Sequence, residues 1–479
     1  MAFSEIPLWT PAFPAAALWA AWLWRDARRN ASSPFDAHPA LFPFALSLAV
    51  YLSTFRWHGG DDIPNIILPF ALLRHGTLSM EPFRAWFVSH GLFPDFTVQK
   101  EGLLLSRHPV MPGLLALPIC LPAVLLTPVP SELLIHGLSK LAASALTAAS
   151  AAVFHLLLRE RCSRRWAASA TLLYAFGTFS FSVSSQALFQ HGPAQLGLIL
   201  GLYGLLRRGR GPRDAFVAGF GFALAVACRL DSAFFLAPAG LYVLSRERRR
   251  LPLFAAGAAL PLAFLAFYWL AYTGRLKPQD SEVQRAIFAA FEPRTMVALL
   301  ASPTRGLLPF IPASLFGLWT ILLRLRDKNS PWIVWLSLSL PAVFVFYSFY
   351  YNWTGGMTFG SRYLATAAAL AVFFAADSSA WIAASAARRK FWCLAVAWSI
   401  LVHAVGAYFT WPGSYEIEAQ RAQLWQWSLY PPFYLGASFG PLSALPAPAR
   451  LALALLAAAA TLLGARRMNR WLAEEGPAV

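Results

Sequence analysis

The sequence predicts an all-helical protein that crosses a membrane many times, and three observations carry the prediction. Of its 479 residues, 58% are hydrophobic and 13% charged, where a soluble globular chain carries nearer a quarter charged. Apolar runs close to the roughly 20 residues a bilayer-spanning helix needs recur along the chain, and mean hydropathy is +0.53. The basic residues fall in short bursts at every second connection between those runs.

The candidate spans are 5–24, 40–57, 131–158, 166–186, 190–206, 214–229, 231–245, 251–272, 304–323, 331–350, 361–383, 391–411 and 446–465. The short pair within 214–245 reads either as two spans or as a hairpin that stops short of the far surface, so the count is about 11–13. No stretch is left for a soluble domain, and 1–479 reads as a single integral membrane domain.

Seven basic runs, RDARR (25–29), RERCSRR (159–165), RRGRGPR (207–213), RERRR (246–250), RLRDK (324–328), ARRK (387–390) and RRMNR (466–470), hold 24 of the 39 lysines and arginines. The excess of Lys and Arg on cytoplasmic loops assigns all seven to the inner side. The N-terminus is then outside and the C-terminus inside. A net charge of +17 would suggest nucleic acid in a soluble chain; here topology accounts for it, and no nucleic-acid partner is expected. The N-terminal stretch has no basic residues before its apolar run and makes a poor signal peptide. The four cysteines are scattered singly, without metal or disulfide spacing.

Three outer connections are long: 58–130, 273–303 and 412–445. The first contains an apolar stretch at 108–126 with four prolines. Prolines disfavour a full span, and counting it as one would invert every later loop against the charge rule. It reads as a surface-lying or re-entrant segment, and the residues after Pro64 as a second surface helix.

The groups able to do chemistry gather on these outer connections. Asp61 and Asp62 open the first loop. Adjacent carboxylates at a membrane boundary are costly unless solvated, paired or used; one can serve as a general base, or the pair can cap the helix opened by Pro64. Arg107 and His108 precede two prolines in SRHPVMPG (106–113) and can contact phosphate or a sugar hydroxyl, or anchor to lipid headgroups. Arg305 in SPTRGLLPFIP (302–312) sits on the side disfavoured for arginine, which points to an anionic partner or to a salt bridge with Glu292. In FYYNWTGGMTFGSRYL (349–364), Trp353 can stack on a sugar and Arg362 can hold phosphate, or the segment is an aromatic belt with a turn. Arg229 and Asp231 read as a balanced pair at a hairpin tip, and Gln186, Gln190 and His191 as residues at an outer end. No phosphate-binding G-x-x-x-x-G-K-[ST] motif is present, so an outward-facing enzyme would draw on a lipid-linked donor.

At these residues the chain resembles the C-type glycosyltransferase superfamily (GT-C), nearest its bacterial branch related to protein mannosyltransferases and to aminoarabinose transferases acting on lipid A. The resemblance rests on four stretches in order over roughly residues 40–385: Gly60-Asp61-Asp62 with the following LLRHGTLSM, Ser106 through Gly113, SPTRGLLPFIP, and Trp353 through Tyr363. It implies a polyprenyl-phosphate sugar donor, a cavity beneath the outer loops, Asp61 or Asp62 as catalytic base, and Arg107, His108, Arg305, Trp353 and Arg362 as substrate-binding residues. It also implies transfer with inversion to a lipid, glycan or protein hydroxyl at the outer face of a bacterial cytoplasmic membrane. Related sequences commonly show Asp-Glu where this one has Asp61-Asp62. The third outer loop, with Trp411, Tyr415, Trp425 and Trp427, matches nothing in the family pattern. No cofactor is expected; Asp61 and Asp62 could hold a divalent cation together with other oxygens, but one aspartate pair does not by itself make a site. The rival expectation is a secondary transporter or lipid flippase of envelope precursors, which needs ionisable residues within the spans; Arg229, Asp231 and Asp377 are the main candidates.

Overall fold

The computed structural model describes the chain except residues 1–8, 31, 56–59, 93–95, 210, 281–287, 328–329, 357, 410–415, 436–444 and 476–479. Trp411 and Tyr415 therefore lie outside the described residues. Helix dominates, at 74% of the described residues. Each of the thirteen apolar runs becomes helix in whole or in pieces. Four described helices are long and apolar enough to cross a membrane by themselves: Glu132–Arg159, Arg248–Thr273, Ala386–Tyr408 and Ala447–Ala473.

Other runs are broken where their chemistry dictates. The 304–323 run divides into Leu307–Phe310 and Ser314–Arg324 around Pro312, and 331–350 divides into Pro331–Ser337 and Ser339–Tyr347 at Leu338, three residues before Pro341. A proline removes an intrahelical donor and disfavours helix at the residue before it. The short pair within 214–245 appears as Pro212–Cys228 and Ala233–Arg246, both shorter than the roughly 20 residues of a full crossing.

The chain folds as two compact units: 1–34, 44–153 and 184–286 in the first, and 35–43, 154–183 and 287–479 in the second. In the first unit, three helices pack through glycine. A Cβ on Gly219 of Pro212–Cys228 would stand 1.9 Å from the Phe254 carbonyl oxygen of Leu251–Thr273. A Cβ on Gly221 would stand 2.3 Å from the Gly201 nitrogen of His191–Leu206. Apolar solvent gives helices no hydrophobic reason to associate, so close backbone approach through small residues supplies the contact.

The first outer loop folds onto this unit. Ile63–His75 buries its first nine residues in a core shared with Leu138, Ala142 and Tyr268 of the longer helices. The proline-rich 108–126 segment forms Met111–Leu115 and Leu117–Leu126. It buries Cys120, Ala123 and Val124 and exposes Leu121, Leu125 and Leu126, the one-sided apolar exposure of a surface-lying helix. Between the two helical stretches lies a feature that the hydropathy pattern does not predict: an antiparallel hairpin, Thr97–Lys100 with Leu103–Ser106. Its two-residue turn has Glu101 at φ 50° and Gly102 at φ 83°, the double positive φ that matches strand twist in tight hairpins.

The second unit tests the alternation of basic loops within its own bounds. Asp377 ends the helix Ala365–Asp377 and receives Arg161 and Arg324, each at 2.7 Å. Arg165 meets Glu474 at 3.0 Å, and Arg389 donates to Asn469 at 3.1 Å. Basic connections that are separate in sequence thus meet at one end of the unit. Arg362–Leu364 is a 3-10 turn that leads directly into the helix Asp377 ends, so the 349–364 segment lies at the other end.

Asp377 has 3% side-chain exposure, and its arginines 17% and 32%. Removing one partner of a fully buried pair costs about 3–5 kcal/mol, and partial exposure of the arginines lowers that. Asp377→Ala is expected to lose about 2 kcal/mol against unfolding in detergent. An unchanged unfolding midpoint would mean that solvent, not Asp377, neutralises the two arginines.

Candidate functional site

The adjacent aspartates have opposite surroundings. Gly60 turns the chain into the pair at φ +108°, and a Cβ there would stand 2.4 Å from the Phe96 ring. Only glycine fits both the conformation and the space. Asp61 then points to a partly open position, with 30% side-chain exposure, and its Oδ1 stands 3.9 Å from His108 Nε2. Asp62 is fully buried. It occupies the N-cap position of Ile63–His75 yet makes no side-chain capping bond, so helix capping does not explain it. Instead Ser139 Oγ donates to Asp62 Oδ2 at 2.5 Å and accepts from the Leu188 N–H at 2.8 Å. Asn65, one helical turn on, donates to the Leu188 carbonyl at 2.7 Å. His136 Nδ1 lies 3.9 Å from Asp62 Oδ2, and Asp62 Oδ1 has no hydrogen-bond partner among the described residues. Burial pushes the Asp62 carboxyl above its ordinary range, against the opposing effects of His136 and the Ser139 bond.

Arg107 and His108 leave the hairpin directly. Ser106 ends its second strand, the Arg107 N–H donates to the Phe96 carbonyl at 3.1 Å, and the His108 N–H donates to Ser106 Oγ at 3.2 Å. Gln279 Nε2 donates to the carbonyls of Ser106 and His108 at 3.0 and 2.8 Å. The segment is therefore held by its backbone, leaving the partly exposed Arg107 and His108 side chains on the surface.

Three polar residues that the motifs do not single out, His136, Ser139 and Lys140, stand at this site or beside it. Lys140 is fully buried, donating to the Ser185 carbonyl at 2.9 Å, Thr54 Oγ1 at 3.1 Å and Gln186 Oε1 at 3.2 Å. Their signal in the sequence is a polar stripe: residues 136, 139, 140, 144 and 147 recur at helical spacing within an otherwise apolar run. His155 and His403 are further buried ionisable groups within helices. The groups that a transporter would use are paired at helix ends: Arg229 Nε meets Asp231 Oδ1 at 2.7 Å and Arg229 also contacts His191, while Asp377 holds two arginines.

In the second unit the arginine expectations separate. Arg305 is 1% exposed. Its terminal nitrogens donate to the carbonyls of Gly360 (2.6 Å), Thr358 (2.7 Å) and Gly356 (3.0 Å), and to Gln420 Oε1 (3.3 Å). All four terminal N–H groups are thus directed at protein acceptors. The expected phosphate contact is replaced by a bracket that holds the 356–360 turn. The expected alternative, a salt bridge to Glu292, is replaced too: Glu292 Oε2 lies 3.5 Å from Arg421. Trp353 is 2% exposed, so its ring faces are covered rather than open for stacking. Arg362 is partly exposed, lies over the Tyr363 ring at 5.5 Å, and packs beside Gly355. Of the expected binding residues in this unit, it is the one whose side chain reaches the surface.

No group of three or more His, Cys, Asp or Glu suited to a metal ion occurs among the described residues.

No protein-family model matches the chain, and no curated protein does. Among solved structures, ArnT from Cupriavidus metallidurans bound to undecaprenyl phosphate superposes with a TM-score of 0.50 at 12% identity, covering 90% of this chain and 75% of that one. The apo state of the same protein gives 0.47 at 14% identity, covering 91% and 76%. The match to the bound form carries a conclusion about fold: this is an all-α polytopic membrane protein of GT-C-like architecture, as the resemblance in sequence implied.

A lysine ammonium cannot reproduce the fork by which Arg305 reaches four acceptors. Hydrogen bonds to a charged group contribute about 1.5–3 kcal/mol each. Arg305→Lys is expected to lower unfolding stability by about 2–4 kcal/mol through loosening of the contacts to Gly356, Thr358 and Gly360. Unchanged stability in this variant would mean that the bracket does not hold the turn.

Proposed function

We propose, from the premise of a GT-C-like membrane fold, that this protein transfers a sugar from a polyprenyl-phosphate carrier to an acceptor hydroxyl at the outer face of a bacterial cytoplasmic membrane. The observation that supports it most is the division of labour within Asp61-Asp62. The ArnT structure of the same fold was solved with undecaprenyl phosphate bound, and a lipid-linked donor of that class suits a chain with no nucleotide-binding motif.

Asp61 is the base in this reading. It is partly open, and its ordinary role as a carboxylate lets it take the proton of an acceptor hydroxyl. The hydroxyl oxygen bonds to the anomeric carbon as the bond from that carbon to the phosphate oxygen breaks. The electron pair leaves on the polyprenyl phosphate, and attack from the opposite face inverts the anomeric centre. His108, near Asp61, and its chain neighbour Arg107 meet the negative charge as it gathers on the departing phosphate. Arg362 is the second unit's candidate for an anion contact. Asp62 is buried and hydrogen-bonded to Ser139, so it positions rather than reacts. It ties the start of Ile63–His75 to the Glu132–Arg159 helix and thereby holds Asp61 in place.

Loss of a positioned general base commonly costs about 10²–10⁴-fold in rate. Asp61→Asn is expected to lower transfer from labelled polyprenyl-phosphate sugar by that order while leaving expression and carrier binding intact. Asp62→Asn keeps the hydrogen bond in a neutral form and should retain a measurable fraction of wild-type transfer. Full activity in Asp61→Asn would remove the assignment. The outer-face placement has its own check: Gln99→Cys, in a background lacking the four native cysteines, should react with a membrane-impermeant maleimide in spheroplasts. Labelling only after the membrane is opened would reverse the orientation.

A further inference from the structure

We propose that a cavity of about 460 Å³ in the second unit is a carbohydrate-binding groove that receives a pyranose ring of the acceptor. The word acceptor rests on the transferase reading above; the binding of sugar does not. Three stretches far apart in sequence build the cavity: Glu292 and Arg294 at the start of Pro293–Ala301, Trp353, and Glu418, Arg421 and Trp425 from the third outer loop. That loop matched nothing in the family pattern, and the transfer chemistry leaves it without a task.

The walls carry what a sugar needs. Trp425 is 54% exposed, a large ring able to lie against the C–H face of a pyranose. Glu292 and Glu418 offer acceptors for hydroxyls, and Arg294 and Arg421 offer donors. These groups are already held in place. Arg421 lies 3.5 Å from Glu292 and donates to the Tyr351 carbonyl at 3.0 Å, while Tyr351 Oη donates to Glu418 at 2.8 Å. Two polar atoms in the lining have no acceptor among the described residues: Nε1 of Trp353, a side chain 2% exposed, and Nε of Arg421. Buried donors left without acceptors are uncommon in folded proteins, and both belong to side chains that line this cavity.

The charge balance selects the ligand class. Two glutamates and two arginines sum to zero, so a phosphate or polyanion entering the groove would meet Glu292 and Glu418. A neutral polyhydroxylated ring meets paired donors and acceptors instead. The plainer role for Trp425, an anchor in an interfacial aromatic belt, does not call for carboxylates and arginines around it. The volume is within the roughly 300–1,000 Å³ of small-molecule sites.

Saturation-transfer NMR on the full chain in nanodiscs tests this, with methyl α-mannoside, methyl α-glucoside and N-acetylglucosamine as probes. At least one is expected to receive saturation on its ring protons. Trp425→Ala should reduce that signal to about a tenth or less, corresponding to loss of stacking on the ring. Trp425→Phe should keep most of it, as should Trp427→Ala, which removes an equally exposed tryptophan outside the groove. Undecaprenyl phosphate binding should be unchanged in all three. No saturation of any probe by the wild type, or an undiminished signal in Trp425→Ala, overturns the groove. Sugar binding lost with Trp425 in a protein that shows no carrier-dependent transfer upholds the groove and rejects the transferase reading instead.

Discussion

Charge is expensive in apolar surroundings, and the architecture of this chain follows from where its few charges are allowed to stand. A chain that is 13% charged and otherwise apolar can put an ion at a helix end, pair it, or surround it with dipoles. Each solution is present. Asp377 and its two arginines sit at the end of Ala365–Asp377. Arg229 and Asp231 pair at the turn after Pro212–Cys228. Arg305 and Lys140, both buried, are surrounded by carbonyl, hydroxyl and amide oxygens. The last solution does double duty, because a buried cation that gathers carbonyls also holds the loops that supply them.

The two arginines that looked alike as anion-binding candidates illustrate this. Arg305 and Arg362 both stand on outer connections beside glycines. Arg305 turns inward and directs its donors at the backbone of the turn that precedes Arg362. Arg362 stays partly exposed. One braces the segment from within and the other stays partly exposed on it, so two arginines alike in sequence have different surroundings. The aspartates divide in the same way. Asp62 is drawn under the surface by Ser139, and Asp61, its immediate neighbour, remains partly open next to His108. Alternation of environment over a single residue is possible because Gly60 supplies a backbone angle that no other residue adopts easily there.

The long connections are therefore more built than their polarity suggests. The first contributes a hairpin and four described α-helices, Ile63–His75, Arg84–Ser89, Met111–Leu115 and Leu117–Leu126, that share a core with the longer helices. The third contributes Ile417–Ala422, with Gln420 reaching Arg305 and Arg421 reaching Glu292. Rigid positioning of side chains on loops is what catalytic and binding sites require, and here it comes from hydrogen bonds between loops as much as from the helices beneath them.

Most of the fold was legible in the sequence because its determinants are local. Apolar runs of a given length become helix, prolines mark the breaks near 312 and 341, and arginine bursts of the second unit gather at one end of it; none of this needs a partner to be known. The order of motifs also pointed to the GT-C-like architecture, and Asp61 and His108, 47 residues apart in sequence, were singled out and do lie near each other. What only the tertiary structure decided is which member of each candidate set faces outward. A carboxylate, an arginine or a tryptophan looks the same in sequence whether it is buried or open, because burial is decided by residues remote in the chain: Ser139 for Asp62, Gly356 to Gly360 for Arg305, and Pro293–Ala301 with Ile417–Ala422 for the cavity lined by Trp353. Composition set the number of charges, and long-range hydrogen bonds decided which of them remain available to a ligand.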